Sequence, residues 1–342
     1  MPRWQSQTSL SPGEACTFDS RLPGCAIRIA GVAPVVEVEG LRKSYGEVER
    51  IHGISFEVEA GEIFGFLGTN GAGKTTTIEI LEGYRPRNSG QVSVLGTDPA
   101  RADRMWRNRI GLVLQECELD PAHTVRETVS MFARYFQYPT AVVTTIGAVG
   151  LTEKIDDRVG HLSGGQKRRL DVALGLIGDP EVLFLDEPTT GLDPAARREM
   201  WTMVEGLRDA GKTIFLTTHY MDEAQHLADR IIILAAGEVA AQGTADELSR
   251  SLGNRTAITF THPKGVALDR LSGVLGTPVE LEGPLVRFES DRVQRDLSVL
   301  LDWAEGERLE LVDLQVIRPT LDDVFVQLAG APTANEGEGS ES

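Results

Sequence analysis

Gly68-Thr69-Asn70-Gly71-Ala72-Gly73-Lys74-Thr75 fits the pattern G-x-x-x-x-G-K-[ST], and the residues on either side of it decide the fold. Glu62–Leu67 is a β-rich run that ends directly in this loop, and Thr75–Leu81 behind it carries helical spacing. Strand, glycine-rich loop and helix in that order make a phosphate-binding loop rather than a chance glycine-rich turn. Gly68, Gly71 and Gly73 let the backbone approach phosphates without a Cβ in the way. Backbone N–H groups from Asn70, Ala72 and Thr76 and their neighbours, with the Lys74 ammonium, can then meet phosphate oxygens, while the Thr75 hydroxyl can hold Mg2+. Alone, the loop says only that the chain binds a nucleoside triphosphate.

Outward from the loop, Val35–Val38 and Ile51–Val58 read as strands upstream. Downstream, Ile110–Leu114 predicts a buried strand ending at Gln115. Thr124–Tyr138 predicts a helix whose Met131, Phe132, Tyr135 and Phe136 share a face and are expected in the core. Val182–Leu185 and Thr213–Thr217 are short β-rich runs, each followed by a helical segment. That alternation implies an α/β fold around a largely parallel sheet covered on both faces. Arg230–Leu234 and Glu238–Ala241, joined through Gly237, predict a closing hairpin. From Asn254 the pattern changes: strands at Thr256–Thr261, Pro278–Leu281, Leu285–Phe288 and Leu309–Ile317 enclose helices at Val266–Val274 and Arg292–Trp303. The order βαββαβ is the ferredoxin-like arrangement of a small α+β domain. A last helix, Leu321–Leu328, carries an apolar face (Leu321, Val324, Phe325 and Leu328) that must bury on its own domain, on the nucleotide-binding domain or on a partner subunit, with packing in the small domain the expected outcome.

Domain limits follow: 1–34, rich in Ser, Pro and Gly, a disordered extension or the product of a start codon set too early; 35–250 the nucleotide-binding domain, with a helical subdomain at about 116–175; 251–330 the small domain; and 331–342 a disordered acidic tail. With 342 residues and 41% hydrophobic content there is enough apolar material for full cores, yet no run approaches the ~18 apolar residues that span a bilayer. A formal charge of −17 opposes binding to nucleic acid. Cys16, Cys25 and Cys117 are scattered thiols without metal-ligand spacing, which fits a reducing compartment. Leu22-Pro23-Gly24-Cys25 lacks the apolar stretch that an export signal requires, so secretion is not expected.

Three further stretches carry chemistry. Asp186 ends the apolar run Val182-Leu183-Phe184-Leu185, where a strand tip aims a carboxylate at a metal, and Glu187 adjoins it. Leu162-Ser163-Gly164-Gly165-Gln166 stands at a predicted helix start, with Lys167, Arg168 and Arg169 in the turn after. A serine hydroxyl and helix N-terminal N–H groups make a second anion-binding loop. His219 follows the strand at Thr213–Thr217. Glu223-x-x-His226 is half of a metal motif with no second copy and reads as a solvated helix face.

The phosphate loop, LSGGQ at 162–166 and Asp186-Glu187, in that order, resemble the ATP-binding subunit of ABC transporters over residues 35–250. The resemblance implies a P-loop NTPase of the ABC type that binds and hydrolyses ATP with Mg2+. It implies Tyr45 stacked on adenine, and Mg2+ held by Thr75, Gln115 and Asp186. Glu187, Lys74, Gln115 and His219 would act in catalysis. Ser163, Gly164, Gly165, Gln166 and the D-loop residue Asp193 would face the ATP of a second subunit in a head-to-tail homodimer. It also implies a separate transmembrane permease and a place on the cytoplasmic face of the membrane. The groove such a permease needs is a competing role for Met131, Phe132, Tyr135 and Phe136. Leu185–Pro194, Thr217–Ala224 and Pro319–Phe325 resemble type-2 exporters of the daunorubicin/multidrug-resistance group, which implies efflux of a drug-like or lipid-like substrate. An importer ATPase or a soluble ABC ATPase are the alternatives. A DNA-repair member would need a long coiled coil between Lys74 and Ser163, and no heptads occur there.

Overall fold

The computed structural model describes residues 33–69, 71–114, 118–251, 256–263, 265–317 and 320–330. The expectations for residues 1–32 and 331–342 and for the three cysteines lie outside the described residues. Strands β1 (Val36–Tyr45) and β2 (Val48–Val58) pair antiparallel; β3 (Ile63–Gly68) enters another sheet, and β4 (Ser89–Val94) returns to the free edge of β1. β4 is missed by sequence reading because only Val92 and Val94 are buried, too short an alternation to register.

The main sheet takes β5 (Ile110–Val113), β6 (Val182–Asp186), β7 (Thr213–Thr218), β8 (Arg230–Ala235) and β9 (Glu238–Gly243) in the order β5-β6-β7-β3-β8-β9. All pairs are parallel except β8 with β9, the predicted hairpin. Its central strands β3, β6 and β7 are buried on both faces. Phe64, Phe66, Phe184 and Phe215 point to one side, where they meet Phe56 of the antiparallel sheet and the helix α1 (Lys74–Leu81). Ile63, Leu183, Leu185, Ile214 and Leu216 point to the other. Each such buried ring contributes roughly 1.5–3 kcal/mol, so both faces must be covered.

α2 (Arg104–Arg107) buries Trp106 against the first face, the indole N–H donating to the Val94 carbonyl at 2.8 Å. The second face is covered by α3 (Val125–Ala133), α4 (Val142–Ala148), α5 (Gly164–Leu176) and α6 (Pro194–Asp209). α3 opens on a Thr124/Glu127 capping box and stops at Ala133, short of the expected Tyr138. As a result Phe132 and Phe136 pack partly buried on the core, whereas Met131 and Tyr135 are 41% and 67% exposed, contrary to the core expectation for all four.

α7 (Met221–Leu227) and α8 (Ala245–Ser251) close the β8 end. β10 (Thr256–Thr261), α9 (Leu268–Leu275), β11 (Glu280–Glu282), β12 (Leu285–Ser290), α10 (Val293–Gly306) and β13 (Gln315–Ile317) then build a separate antiparallel sheet of order β11-β12-β10-β13. This is the arrangement that βαββαβ implies, and its core is closed by α9 and α10. β13 begins at Gln315, well after the expected Leu309. The last helix, α11 (Leu321–Gly330), does not pack there: Leu321 and Val324 are buried against Met221, Ala224, Leu248 and Ile231 of the nucleotide-binding fold. The small domain already has two helices over its sheet, so the apolar stripe of α11 returns to the open face of α7 and α8. The Leu328 side chain lies outside the described ones.

Candidate functional site

The turn between β3 and α1 shows why glycine is required in it. Gly73 has φ +102°, and a Cβ there would come within 3.1 Å of Ile51. Gly73 is the N-cap of α1 and offers no side-chain cap, so the first-turn N–H groups have no side-chain acceptor. Lys74 is buried and donates to the carbonyls of Gly68 at 2.7 Å and Thr69 at 3.3 Å. Burial pushes its pKa down, while the charges of Glu187 and Asp186 oppose that shift.

A cavity of about 680 Å3 gathers Tyr45, Gly71, Gly73, Lys74, Thr75, Thr76, Glu187 and His219. These residues were predicted separately from stretches far apart in the chain. The Tyr45 ring carries the Lys43 ammonium and the Arg85 guanidinium, each 5.3 Å from its centroid, and its hydroxyl lies 3.4 Å from Thr76 Oγ1. Glu187 sits at φ +47°, its N–H donating to the carbonyl and the hydroxyl of Thr217, both at 3.1 Å. Its carboxylate oxygen Oε2 accepts from Thr190 Oγ1 at 3.1 Å and stands 3.2 Å from His219 Nδ1. Asp186 accepts from Thr217 Oγ1 at 2.5 Å.

A second cavity, about 740 Å3, runs past Thr75 and Asp186 between Ile78, Glu82, Leu114 and Phe136. Burial, with the neighbouring Asp186 and Glu79 carboxylates, pushes Glu82 up to about 8.

Other predicted residues stand elsewhere. Ser163 caps α5, its Oγ accepting from the Gln166 N–H at 3.2 Å while Gln166 Oε1 accepts from the Ser163 N–H. Gly164 and Gly165 open that helix, and a Cβ on Gly165 would meet Ala196 Cβ at 2.8 Å, so α5 and α6 approach closely there. Asp193 caps α6, accepting from Ala195 and Ala196 N–H groups that hold its carboxyl below the usual range. None of these five lines the cavity at Lys74. Gly68 and Ala72 belong to the loop; Asn70 and Gln115 lie outside the described residues.

Sequence reasoning missed Arg50 and Thr190, which line the Lys74 cavity, and the Thr217 contacts. It also misread Glu223, which is buried rather than solvated and accepts from the Trp201 indole at 3.1 Å. Its partner Trp201 lies on α6, 22 residues away in sequence, so no local pattern signals the burial.

A parallel sheet, a phosphate loop at a strand tip and two carboxylates at the next strand but one define a P-loop nucleoside triphosphatase. Residues 51–190 match the ABC transporter family, and residues 256–320 match the C-terminal domain of ABC transporter domain-containing protein-like chains. The chain is 40% identical over 334 residues to a Nod factor export ATP-binding protein I of Rhizobium meliloti, covering 96% of this chain and 94% of that one. It is 37% identical over 314 residues to the daunorubicin resistance ATP-binding protein DrrA3 of Streptomyces coeruleorubidus, covering 86% and 96%. A solved ATP-binding subunit of an ABC transporter is similar with a TM-score of 0.57 at 25% identity, over 70% of this chain and 98% of that one. The ADP conformation of MJ1267, an ATP-binding cassette of an ABC transporter, has a TM-score of 0.57 at 22% identity, over 63% and 93%, a likeness of fold. The chain belongs to the ATP-binding subunits of ABC transporters, and it is an ATP-hydrolysing transporter ATPase of that family.

Proposed function

We propose that the chain powers an exporter, hydrolysing ATP on the cytoplasmic face of the membrane to drive efflux of a drug-like or lipid-like substrate through a separate permease. The observation that carries the ATPase chemistry is the single cavity joining Lys74, Glu187 and His219. The names and near-full-length coverage of its relatives, export and drug-resistance ATP-binding proteins, support the direction of transport. Among the described residues no helix is long and apolar enough to cross a membrane.

In this reading ATP stacks on Tyr45, its phosphates lie on the N-terminus of α1, and Lys74 leaves its loop carbonyls for the β/γ oxygens. Thr75 and Asp186 line one cavity and offer hard oxygen donors, a set that suits Mg2+ with phosphate and water completing its shell. Mg2+ so held would neutralise charge on the transferring phosphoryl group. Glu187 takes a proton from the attacking water, and Thr190 and His219 keep its carboxylate in place. Gln115, outside the described residues, would join the metal set as the family resemblance implies. Ser163, Gly164, Gly165, Gln166 and Asp193, which do not line the cavity at Lys74, would serve a partner subunit's ATP in a head-to-tail homodimer. The groove at Glu82, Leu114 and Phe136 is the docking place proposed for the permease.

The test is co-purification with a permease and transport in inverted vesicles. ATP-dependent uptake of a lipid- or drug-like probe that disappears with Glu187→Gln supports the reading; uptake from the opposite face only, or a stable association with ribosomes or DNA instead, refutes it.

A further inference from the structure

Glu187 holds a left-handed backbone at φ +47°, a conformation unfavourable for a residue with a Cβ that persists only where its surroundings enforce it. Its amide is pinned by β7, through both the carbonyl and the hydroxyl of Thr217. Its carbonyl is pinned from the opposite side by α5. Arg168, on the second turn of that helix and 8% exposed, donates from Nη2 to the carbonyls of Asp186 at 2.8 Å and Glu187 at 3.2 Å. The same guanidinium donates from Nε to the Pro188 carbonyl at 3.0 Å and from Nη1 to the Leu114 carbonyl at 2.5 Å. Three consecutive carbonyls at the tip of β6, and one just past the tip of β5, are thus gathered on one planar cation.

We propose that Arg168 is a positioning residue for hydrolysis: it clamps the peptide of Glu187 so that the carboxylate faces the Lys74 cavity, and it ties that carboxylate to the helix that Ser163 caps. The inference rests on the assignment of Glu187 as the water-orienting base. The chemistry favours arginine specifically. A fork of five donors fixed in a plane can serve carbonyls that converge from two strands, whereas lysine is a point donor on a flexible stem. Arg168 lies on the helix that begins at Ser163, so any displacement of Ser163–Gln166 along α5 reaches Glu187 through one side chain. A second subunit's ATP bound at Ser163 would thereby act on hydrolysis at Lys74 of the first.

Arg168→Ala strands several buried carbonyls and can fail to fold, so the decisive variant is Arg168→Lys in the full chain. The readouts are ATP affinity, turnover per ATP-binding site at saturating MgATP, and gel filtration with MgATP. Arg168→Lys should bind ATP within about threefold of wild type, since it touches no phosphate-loop group. Turnover per site should fall roughly 10- to 100-fold, the usual penalty for a misplaced catalytic group. MgATP should then accumulate a dimer, as with Glu187→Gln, and the double variant should be no slower than Glu187→Gln alone, because both act on one step. Wild-type turnover in Arg168→Lys would overturn the inference, as would a loss that tracks only the fraction of protein able to bind ATP. Unimpaired turnover in Glu187→Gln would instead overturn the assignment of Glu187 itself.

Discussion

Glu187→Gln removes a base while leaving its geometry almost untouched. The backbone bonds that hold residue 187, from Thr217 and Arg168, do not involve the side chain. The glutamine carbonyl can still accept from Thr190 Oγ1, now 3.1 Å from the carboxylate, while the contact with His219 at 3.2 Å and the attraction to Lys74 lose the carboxylate's charge. The amide is isosteric with the carboxylate and keeps the Thr190 hydrogen bond, so folding should shift by no more than about 1 kcal/mol. ATP affinity should shift little, because Lys74 and the amides of α1 supply the grip. Turnover is another matter. General base catalysis contributes about 10²- to 10⁴-fold, which is roughly 3–5 kcal/mol of barrier. Phosphate release at saturating MgATP should fall by at least about 100-fold, while titration with a fluorescent ATP analogue gives an affinity near wild type. ATP that binds without being split should hold two subunits together on gel filtration. A loss of turnover under tenfold, or a proportional loss of affinity, would refute the assignment of Glu187, and an ATP-loaded monomer would refute the composite site.

Lys74→Ala should weaken ATP binding itself by about 1.5–3 kcal/mol, or roughly 10- to 150-fold, by loss of a charge-assisted contact; calorimetry showing unchanged affinity removes Lys74 from the phosphate grip. Tyr45→Phe should be nearly silent and Tyr45→Ala should raise the ATP KM, because stacking uses the ring face; equal behaviour of the two contradicts the adenine assignment. Glu82 is held protonated up to about 8 against an ordinary 4.5, so the nucleotide-free fold binds an extra proton between those values. Stability should therefore fall as pH rises through this window and level off above it, and urea melts of Glu82→Gln should lack that slope. Leu321→Ala should cost the nucleotide-binding fold about 2–5 kcal/mol, because Leu321 is buried against it; a thermal transition unmoved by this change would mean that α11 is not bound there in solution.

Much of the site is legible in one dimension because its parts are local. A loop that must admit phosphate needs glycines at fixed spacing, and a strand that delivers a carboxylate to its tip reads as an apolar run ending in acid. Gly68–Thr75 and Val182–Glu187 announce themselves in that way, as does the capping serine of α5. What stays hidden is held by contacts across the chain. Thr217, Thr190 and Arg50 belong to no short motif, yet they orient Glu187 or line its cavity. Glu223 reads as a surface acid until Trp201, on another helix, covers it.

Sequence alone therefore determined the class of chemistry: the phosphate grip, the two carboxylates and their order along the chain follow from residue type and spacing, which are properties of neighbouring residues. Tertiary structure decided how these parts meet. Lys74, Glu187 and His219 converge only because β3, β6 and β7 lie side by side with their tips together. It also decided that α11 leaves the small domain for α7 and α8, since an amphipathic stripe specifies that a face must be buried but not which surface will bury it.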